Sequence, residues 1–125
     1  MTVVAARAAD AKQGDDIVAL DVSGPLPLAD VFLLVTGRSE RNVLAICDEV
    51  EDRMIEAGAK PLRREGRSEG RWVLLDFIDV VVHVMHTEER TLYALERLWR
   101  DCPRIELELG EAASGEAVET PSTAS

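Results

Sequence analysis

The residues best able to do chemistry cluster between positions 71 and 86. Asp76 and Asp79 are two carboxylates close in sequence, and carboxylate oxygens are ligands for divalent cations. His83 and His86 are the only histidines, and no nearby cysteine gives them the spacing of a metal site. An aspartate that ends a strand beside another in a turn is more often a turn former, so the pattern favours a turn over a cation site.

Two further groups could carry chemistry elsewhere in the chain. Cys47 and Cys102 lie far apart without metal-ligand spacing, which predicts reduced thiols that serve as packing groups. The segment TGRS (36–39) leads from a strand into a helix, where a phosphate could bind. It lacks the glycines and lysine of a P-loop, so it is expected to cap the helix.

Strand alternation sorts the side chains of segments 71–77 and 80–85 if Ile78 and Asp79 form a two-residue turn between them. One side is then uniformly apolar and must face the core. The other side is mixed in character. If it is exposed, it would be a protein-binding patch anchored by tryptophan. If a helix covers it, its polar groups would bond to neighbouring groups, and the residues alone favour this covered alternative. Ile78 tolerates positive φ poorly, so a wider turn with different pairs is the alternative. The uniform side comprises Val73, Leu75, Phe77, Val80, Val82 and Val84, and the mixed side Trp72, Leu74, Asp76, Val81, His83 and Met85.

The elements that must position these residues follow from hydrophobic periodicity and from turn residues. They predict an α/β (α+β) fold: a single domain with a mixed sheet of about five strands flanked by helices. Strands are predicted over 16–22, 30–36, 61–65, 71–77 and 80–85, with an extra one over 104–109. Helices are predicted over 2–13, from Gly37 to Gly58 and from Thr87 to Pro103. The second helix has Ser39 or Thr36 as its N-cap, and its apolar stripe consists of Val43, Ile46, Cys47, Val50 and Met54. The inward-facing residues of the third helix are Leu92, Leu95, Leu98 and Trp99.

Composition predicts one folded domain over residues 1–109 and a small, polar, disordered tail over 110–125. The formal net charge of −10 repels nucleic-acid phosphates and favours basic partners. The N-terminal segment has no basic region followed by a long apolar run, and no stretch approaches the roughly 18 apolar residues of a membrane span. A cytoplasmic protein without membrane contact is expected.

Two long runs resemble the ribosomal silencing factor family, also called RsfS or Iojap-like. They are DIVALDVSGPLPLADVFLLVTGRSERNVLAICDEVEDRMIEAGAKP and GRWVLLDFIDVVVHVMHTEERTLYALERLW, and the likeness covers residues 5 to 99. The resemblance implies a nucleotidyltransferase-like fold without catalysis or cofactor, and a homodimer when free. It further implies binding to ribosomal protein fourteen of the large subunit. There the factor would obstruct joining of the small subunit and repress translation when nutrients are scarce.

The same resemblance implies the residues of the binding site. The sequence departs from the family pattern at Ile78, where a glycine usually precedes the aspartate, which puts the local turn in doubt. Acidic residues of the domain, such as Glu88, Glu89 and Asp79, are expected as rim contacts for lysine or arginine. The predicted ribosomal-protein-binding residues are Trp72, Asp76, Asp79, His83, Met85, Glu88, Leu92, Tyr93, Leu95 and Trp99.

Two other functions remain as alternatives. A nucleotide-binding or nucleotidyltransferase-type enzyme would use the TGRS turn for phosphate and acids for a metal. No convincing pair of inward-facing carboxylates on one strand supports it, since Asp76 and Asp79 flank a turn. A dimeric scaffold whose partner depends on the acidic tail is the other alternative.

Overall fold

A six-stranded mixed sheet organises the computed structural model, which describes residues 1–24, 29–89 and 102–107. Two helices pack on one of its faces. Within the described residues, no helix is both long and apolar enough to cross a membrane. The elements in chain order are α1 (Thr2–Ala11), β1 (Asp15–Asp21), β2 (Val31–Gly37), α2 (Glu40–Glu56), β3 (Arg63–Glu65), β4 (Trp72–Asp76), β5 (Val80–His86) and β6 (Arg104–Ile105).

The strands lie in the order β3-β4-β5-β2-β1-β6. Only β2 and β5 run parallel among the described pairs, and the other neighbours are antiparallel. The mixed α/β sheet and the pairing of consecutive strands are confirmed. The sheet has one strand more than the five expected, because β6, the extra strand predicted near the C-terminus, pairs with β1 at Ala19 and Leu20.

The main core lies between the sheet and helices α1 and α2. Helix α1 is short and rich in alanine, and its small buried side chains let it approach α2 and the sheet closely. The uniform side of the β4–β5 hairpin faces this core, as predicted. The apolar stripe predicted for α2 is confirmed, since the buried residues of that helix are Val43, Ile46, Cys47, Val50 and Met54.

The TGRS segment forms the entrance to α2. Ser39 is its N-cap: the hydroxyl oxygen accepts a hydrogen bond from the backbone N–H of Asn42 at 3.0 Å. Thr36, the other candidate cap, is instead a buried residue of β2. A Cβ at Gly37 would lie 2.6 Å from Cγ2 of Val43, so glycine is required where β2 meets the helix. The prediction of a helix cap is confirmed.

Both cysteines are free and serve in packing, as expected. Cys47 is fully buried in the main core, and this burial raises the pKa of its thiol to about 12. Cys102 is half-buried and packs against the cluster on the opposite face of the sheet. The Cys47 thiol, with its raised pKa, is protonated at neutral pH and is a poor nucleophile.

The N–H of Phe77 donates a hydrogen bond to the carbonyl of Val80 at 2.9 Å, so the turn between them consists of two residues, Ile78 and Asp79. The predicted cross-strand pairs are confirmed: Trp72 opposes Met85, Leu74 opposes His83, and Asp76 opposes Val81. The alternative of a wider turn is therefore wrong. The backbone reaches this geometry only because Ile78 adopts a φ of 78°, a conformation that a β-branched residue rarely takes. Asp76 supports the turn, since its Oδ1 accepts a hydrogen bond from the N–H of Ile78 at 2.8 Å.

Replacing Ile78 with glycine should stabilise the protein by about 1 kcal/mol, because glycine takes positive φ without the clash of a Cβ. The side chain of Ile78 is largely exposed, so little packing is lost. Urea unfolding of Ile78→Gly and Ile78→Ala separates strain from side-chain loss, since the alanine variant keeps the Cβ. Equal stability of the two variants would contradict a strained turn.

Candidate functional site

The mixed side of the hairpin continues across the sheet and forms the surface called here the mixed face. Residues of β1 and β2 extend it, and together they build a second apolar cluster on the side away from α1 and α2. This side is neither wholly exposed nor wholly covered, because Met85 and His83 are buried while Trp72, Leu74 and Asp76 keep partial exposure. The exposed patch and the covered side predicted as alternatives are therefore each only partly correct. The mixed face comprises Val18, Leu20, Phe32, Leu34, Trp72, Leu74, Asp76, Val81, His83 and Met85.

Trp72 and His83 are joined by a hydrogen bond on this face. The indole Nε1–H of Trp72 donates to Nδ1 of His83 at 3.2 Å. An indole N–H can only donate, so Nδ1 must carry its lone pair and the neutral imidazole must carry its proton on Nε2. The ring of Phe32 meets the imidazole edge-on, with ring centroids 4.8 Å apart. The tautomer of His83 is thus set by Trp72.

Burial keeps this histidine neutral. His83 is 6% exposed, and the loss of water around it lowers its pKa to about 4. Its Nε2 is buried and has no hydrogen-bond partner in the described structure. A buried donor without an acceptor costs free energy.

The two aspartates of the hairpin have different roles. The carboxylate of Asp76 is 15% exposed, holds the turn and lies 3.5 Å from Nε of Arg63. The side chain of Asp79 is exposed, while its backbone carbonyl accepts hydrogen bonds from the N–H groups of Asp30 (2.9 Å) and Val31 (3.0 Å). Among the described residues, no group of three or more potential ligands is arranged to hold a metal ion.

Asp79 also marks an acidic end of the sheet that sequence reasoning missed. Strand β1 ends at Asp21, β2 begins after Asp30, and both points lie beside the hairpin turn. Hydrogen bonds from the hydroxyl and N–H of Ser23 hold the pKa of the Asp21 carboxyl below its usual range. The sequence signal was an aspartate at each strand terminus, but only the sheet order brings them to one end.

Glu88 is already engaged in an ion-pair cluster around Arg71. Nη2 of Arg71 lies 2.7 Å from Oε1 of Glu88 and 3.0 Å from Oε1 of Glu89, and Nη1 lies 3.6 Å from Oε2 of Glu40. The hydrogen bond from Arg71 lowers the pKa of Glu88, and the same bond raises the pKa of Arg71. The cluster ties residues 88 and 89 to the start of α2, so Glu88 and Glu89 have an internal role besides the expected rim contact.

Comparison with known proteins identifies the family of this chain. A family model described as "Ribosomal silencing factor during starvation" matches residues 1–125. The chain belongs to the ribosomal silencing factor family. It is 47% identical over 107 residues to ribosomal silencing factor RsfS of Bacillus subtilis, which covers 86% of this chain and 91% of that protein. The predicted family is therefore confirmed, and its name assigns its members a regulatory role in silencing ribosomes.

Structure and more distant sequences agree with this assignment. A crystal structure of a Bacillus halodurans protein superimposes with a TM-score of 0.74 at 43% identity, covering 83% of this chain and 94% of that one. A Mus musculus relative, "Mitochondrial assembly of ribosomal large subunit protein 1", is 29% identical over 87 residues. The match covers 67% of this chain and 38% of that relative.

The remaining site residues predicted from the silencing-factor resemblance divide into two groups. Met85 is 0% exposed, so it supports the mixed face from beneath and presents no surface of its own. The predicted third helix is helical over its described residues 87–89, and its residues 90–101 and the tail over 110–125 fall outside the described residues. The predicted site residues Leu92, Tyr93, Leu95 and Trp99 also lie outside the described residues.

Burial of neutral His83 predicts that stability falls with acidification. Its pKa drops from 6.5 to about 4 on folding, so between these values the unfolded chain binds a proton that the folded chain does not. The stabilisation is complete above pH 6.5 and is lost as the pH falls to about 4, by up to about 3 kcal/mol.

Urea unfolding at several pH values between 7.5 and 4.5 measures this loss. His83→Asn should flatten the pH dependence over the interval, whereas His86→Asn, which leaves His83 in place, should keep it. An unchanged slope in His83→Asn would show that other groups cause the acid sensitivity.

Proposed function

We propose that this protein binds the large ribosomal subunit through ribosomal protein fourteen and blocks joining of the small subunit by occupying space. Translation is thereby repressed when nutrients are scarce. Membership of the ribosomal silencing factor family supports a ribosomal target, and the name of the mouse relative refers to the large subunit. The contact with protein fourteen, the cytoplasmic location and the homodimeric free state are proposed on the family resemblance.

The observation that carries this proposal is the partly exposed Trp72 on the mixed face, held by His83 at 3.2 Å. Tryptophan is enriched among residues whose truncation costs a protein interface most, because it combines a large apolar area with a polar atom. Phe32 and Leu74 are half-buried on the same face and add apolar surface around it. This surface suits a protein partner.

Charge supports a basic protein rather than RNA as the contact. The net charge of −10 opposes approach to phosphates. At the acidic end of the sheet, Asp30 and Asp79 are exposed beside the apolar centre of the mixed face. Acidic groups at the rim of an interface raise the association rate with a basic partner.

The carboxylates and the TGRS segment also favour binding over phosphoryl transfer. Asp76 is engaged by the turn N–H and by Arg63. Ser39 caps α2, and Gly37 is pressed against Val43, so the segment serves the helix entrance. These residues therefore have structural roles, which supports a regulator that acts without catalysis.

Subunit joining, followed by light scattering, tests the function. Purified small and large ribosomal subunits scatter more light when they associate, and saturating amounts of the protein should suppress the increase. Adding the protein after the subunits have joined distinguishes prevention of joining from dissociation. Normal association at saturation would contradict steric exclusion.

Truncating Trp72 should weaken binding to the large subunit by about 2 kcal/mol or more, as loss of an interface anchor does. Co-sedimentation with large subunits measures the affinity of Trp72→Ala. Ile55→Ala is the matched control, because Ile55 is an exposed apolar residue on α2, across the sheet from the mixed face. If both variants bind like the unmodified protein while remaining folded, Trp72 is outside the interface.

Reversing charge at the acidic end should slow association with the large subunit about tenfold at low salt and less at high salt. Asp79→Lys makes this change at an exposed side chain, and Asp52→Lys makes it at an exposed position on α2. Stopped-flow measurements at two ionic strengths compare them. An equal effect of the two substitutions would indicate that only net charge matters.

A further inference from the structure

We infer that His83 is the positioning residue for Trp72 when the mixed face docks on the ribosome. Its Nδ1 accepts the indole N–H and fixes the direction in which the indole ring is presented. This role rests on the proposed function, because it assigns Trp72 to the interface. It adds a second residue, buried beneath that surface, on which the affinity depends.

The geometry of the sheet makes this contact rigid. His83 lies on β5, which is paired on one side with β4 and on the other with β2. Trp72 opposes Met85, two residues along from His83, so Trp72 and His83 are diagonal neighbours on one face. Phe32 packs edge-on against the imidazole from β2. The acceptor is therefore held by three strands rather than by a loop.

The chemistry of the imidazole argues that Nδ1 is the atom that matters. Accepting from Trp72 leaves the proton on Nε2, and that atom is buried without a partner among the described residues. A leucine would fill similar space without an unsatisfied donor. At this position a histidine provides a hydrogen-bond acceptor for the indole N–H of Trp72, and an apolar residue would not.

An indole held in one orientation binds better than a free one. Loss of this hydrogen bond would remove one of the contacts that orient the indole ring, and a partner would then bind a less ordered ring at a cost in affinity. With Nδ1 of His83 as its acceptor, the ring is already oriented before the partner arrives.

Three substitutions of His83 separate the acceptor from the bulk of the ring. His83→Asn places its amide oxygen near the position of Nδ1, His83→Gln carries an oxygen nearer to Nε2, and His83→Leu offers no acceptor. The spectrum of the two indole N–H groups, ¹⁵N-labelled, reports on Trp72, with the other tryptophan, Trp99, as internal reference. We expect slow exchange of the Trp72 indole hydrogen with solvent in the unmodified protein and in His83→Asn, and faster exchange in the other two.

Affinity for the large subunit, measured by co-sedimentation, is the second readout. We expect His83→Leu and His83→Gln to bind about tenfold more weakly and His83→Asn to bind like the unmodified protein. Trp72→Phe, which lacks the indole N–H but keeps His83, should show a similar loss, and His83→Leu should add little to it. Trp72→Phe also tests the contact should the His83 variants fail to fold.

Each contrary result overturns a specific part of this assignment. Equal indole exchange in His83→Asn and His83→Leu would exclude Nδ1 as the acceptor that matters. Faster exchange with unchanged affinity would remove His83 from docking. If the unmodified protein does not bind large subunits, the proposed function and the docking role both fail, while the indole spectra still decide whether His83 holds Trp72.

Discussion

The parallel pairing of β2 with β5 is the constraint on which the rest of the structure depends. The two strands match from Val31 opposite Val80 to Gly37 opposite His86, and both lie inside the sheet. Parallel strands cannot be joined by a hairpin, so the chain must cross over between them. It does so through α2 and the β3–β4 pair, which puts α2 on one face and leaves the mixed face on the other. Both faces of β5 are buried, and its sequence accordingly reads as a nearly continuous apolar run that only His83 interrupts.

Periodicity was sufficient to predict the elements that the structure describes and the sides of their strands. Each polar or apolar residue of β4 and β5 lies on its predicted side, because alternation is a property of the extended backbone and needs no tertiary information. The choice between Ser39 and Thr36 as a cap depended on where β2 ends, which spacing alone does not determine to within a residue or two.

The site itself was only partly predictable, because its contacts join distant segments. Asp30 meets the hairpin turn only where β2 is paired with β5, and Arg71 lies beside Glu40 only where α2 is packed against the sheet. Likewise, strand alternation puts Trp72 and His83 on one side. Their hydrogen bond depends on side-chain rotamers, which no spacing rule supplies.

Two energetic costs of the fold fall in the β4–β5 hairpin. It contains Ile78 at positive φ and the buried Nε2 of His83, whereas the core beneath α1 and α2 is apolar and well buried. Local departures from the rules of stability are typical of functional sites, where the surrounding structure must offset them. The apolar core supplies that stability here, so the hairpin can hold an indole and an acidic turn in fixed positions.

For the proposed ribosomal target, the two parts of this surface would act at different stages of binding. Charge is effective over roughly 8 Å at physiological salt, so the net charge of −10 opposes approach wherever RNA is exposed and favours it only near a basic protein. The acidic end beside Asp79 would thus select the encounter site and set the association rate. Burial of the Trp72 indole adds little to long-range attraction but slows dissociation, because apolar contacts act only when the surfaces touch. A protein that excludes a ribosomal subunit by occupying space needs a long residence time more than a fast approach, so the hairpin that orients Trp72 is the part of this fold on which silencing would most depend.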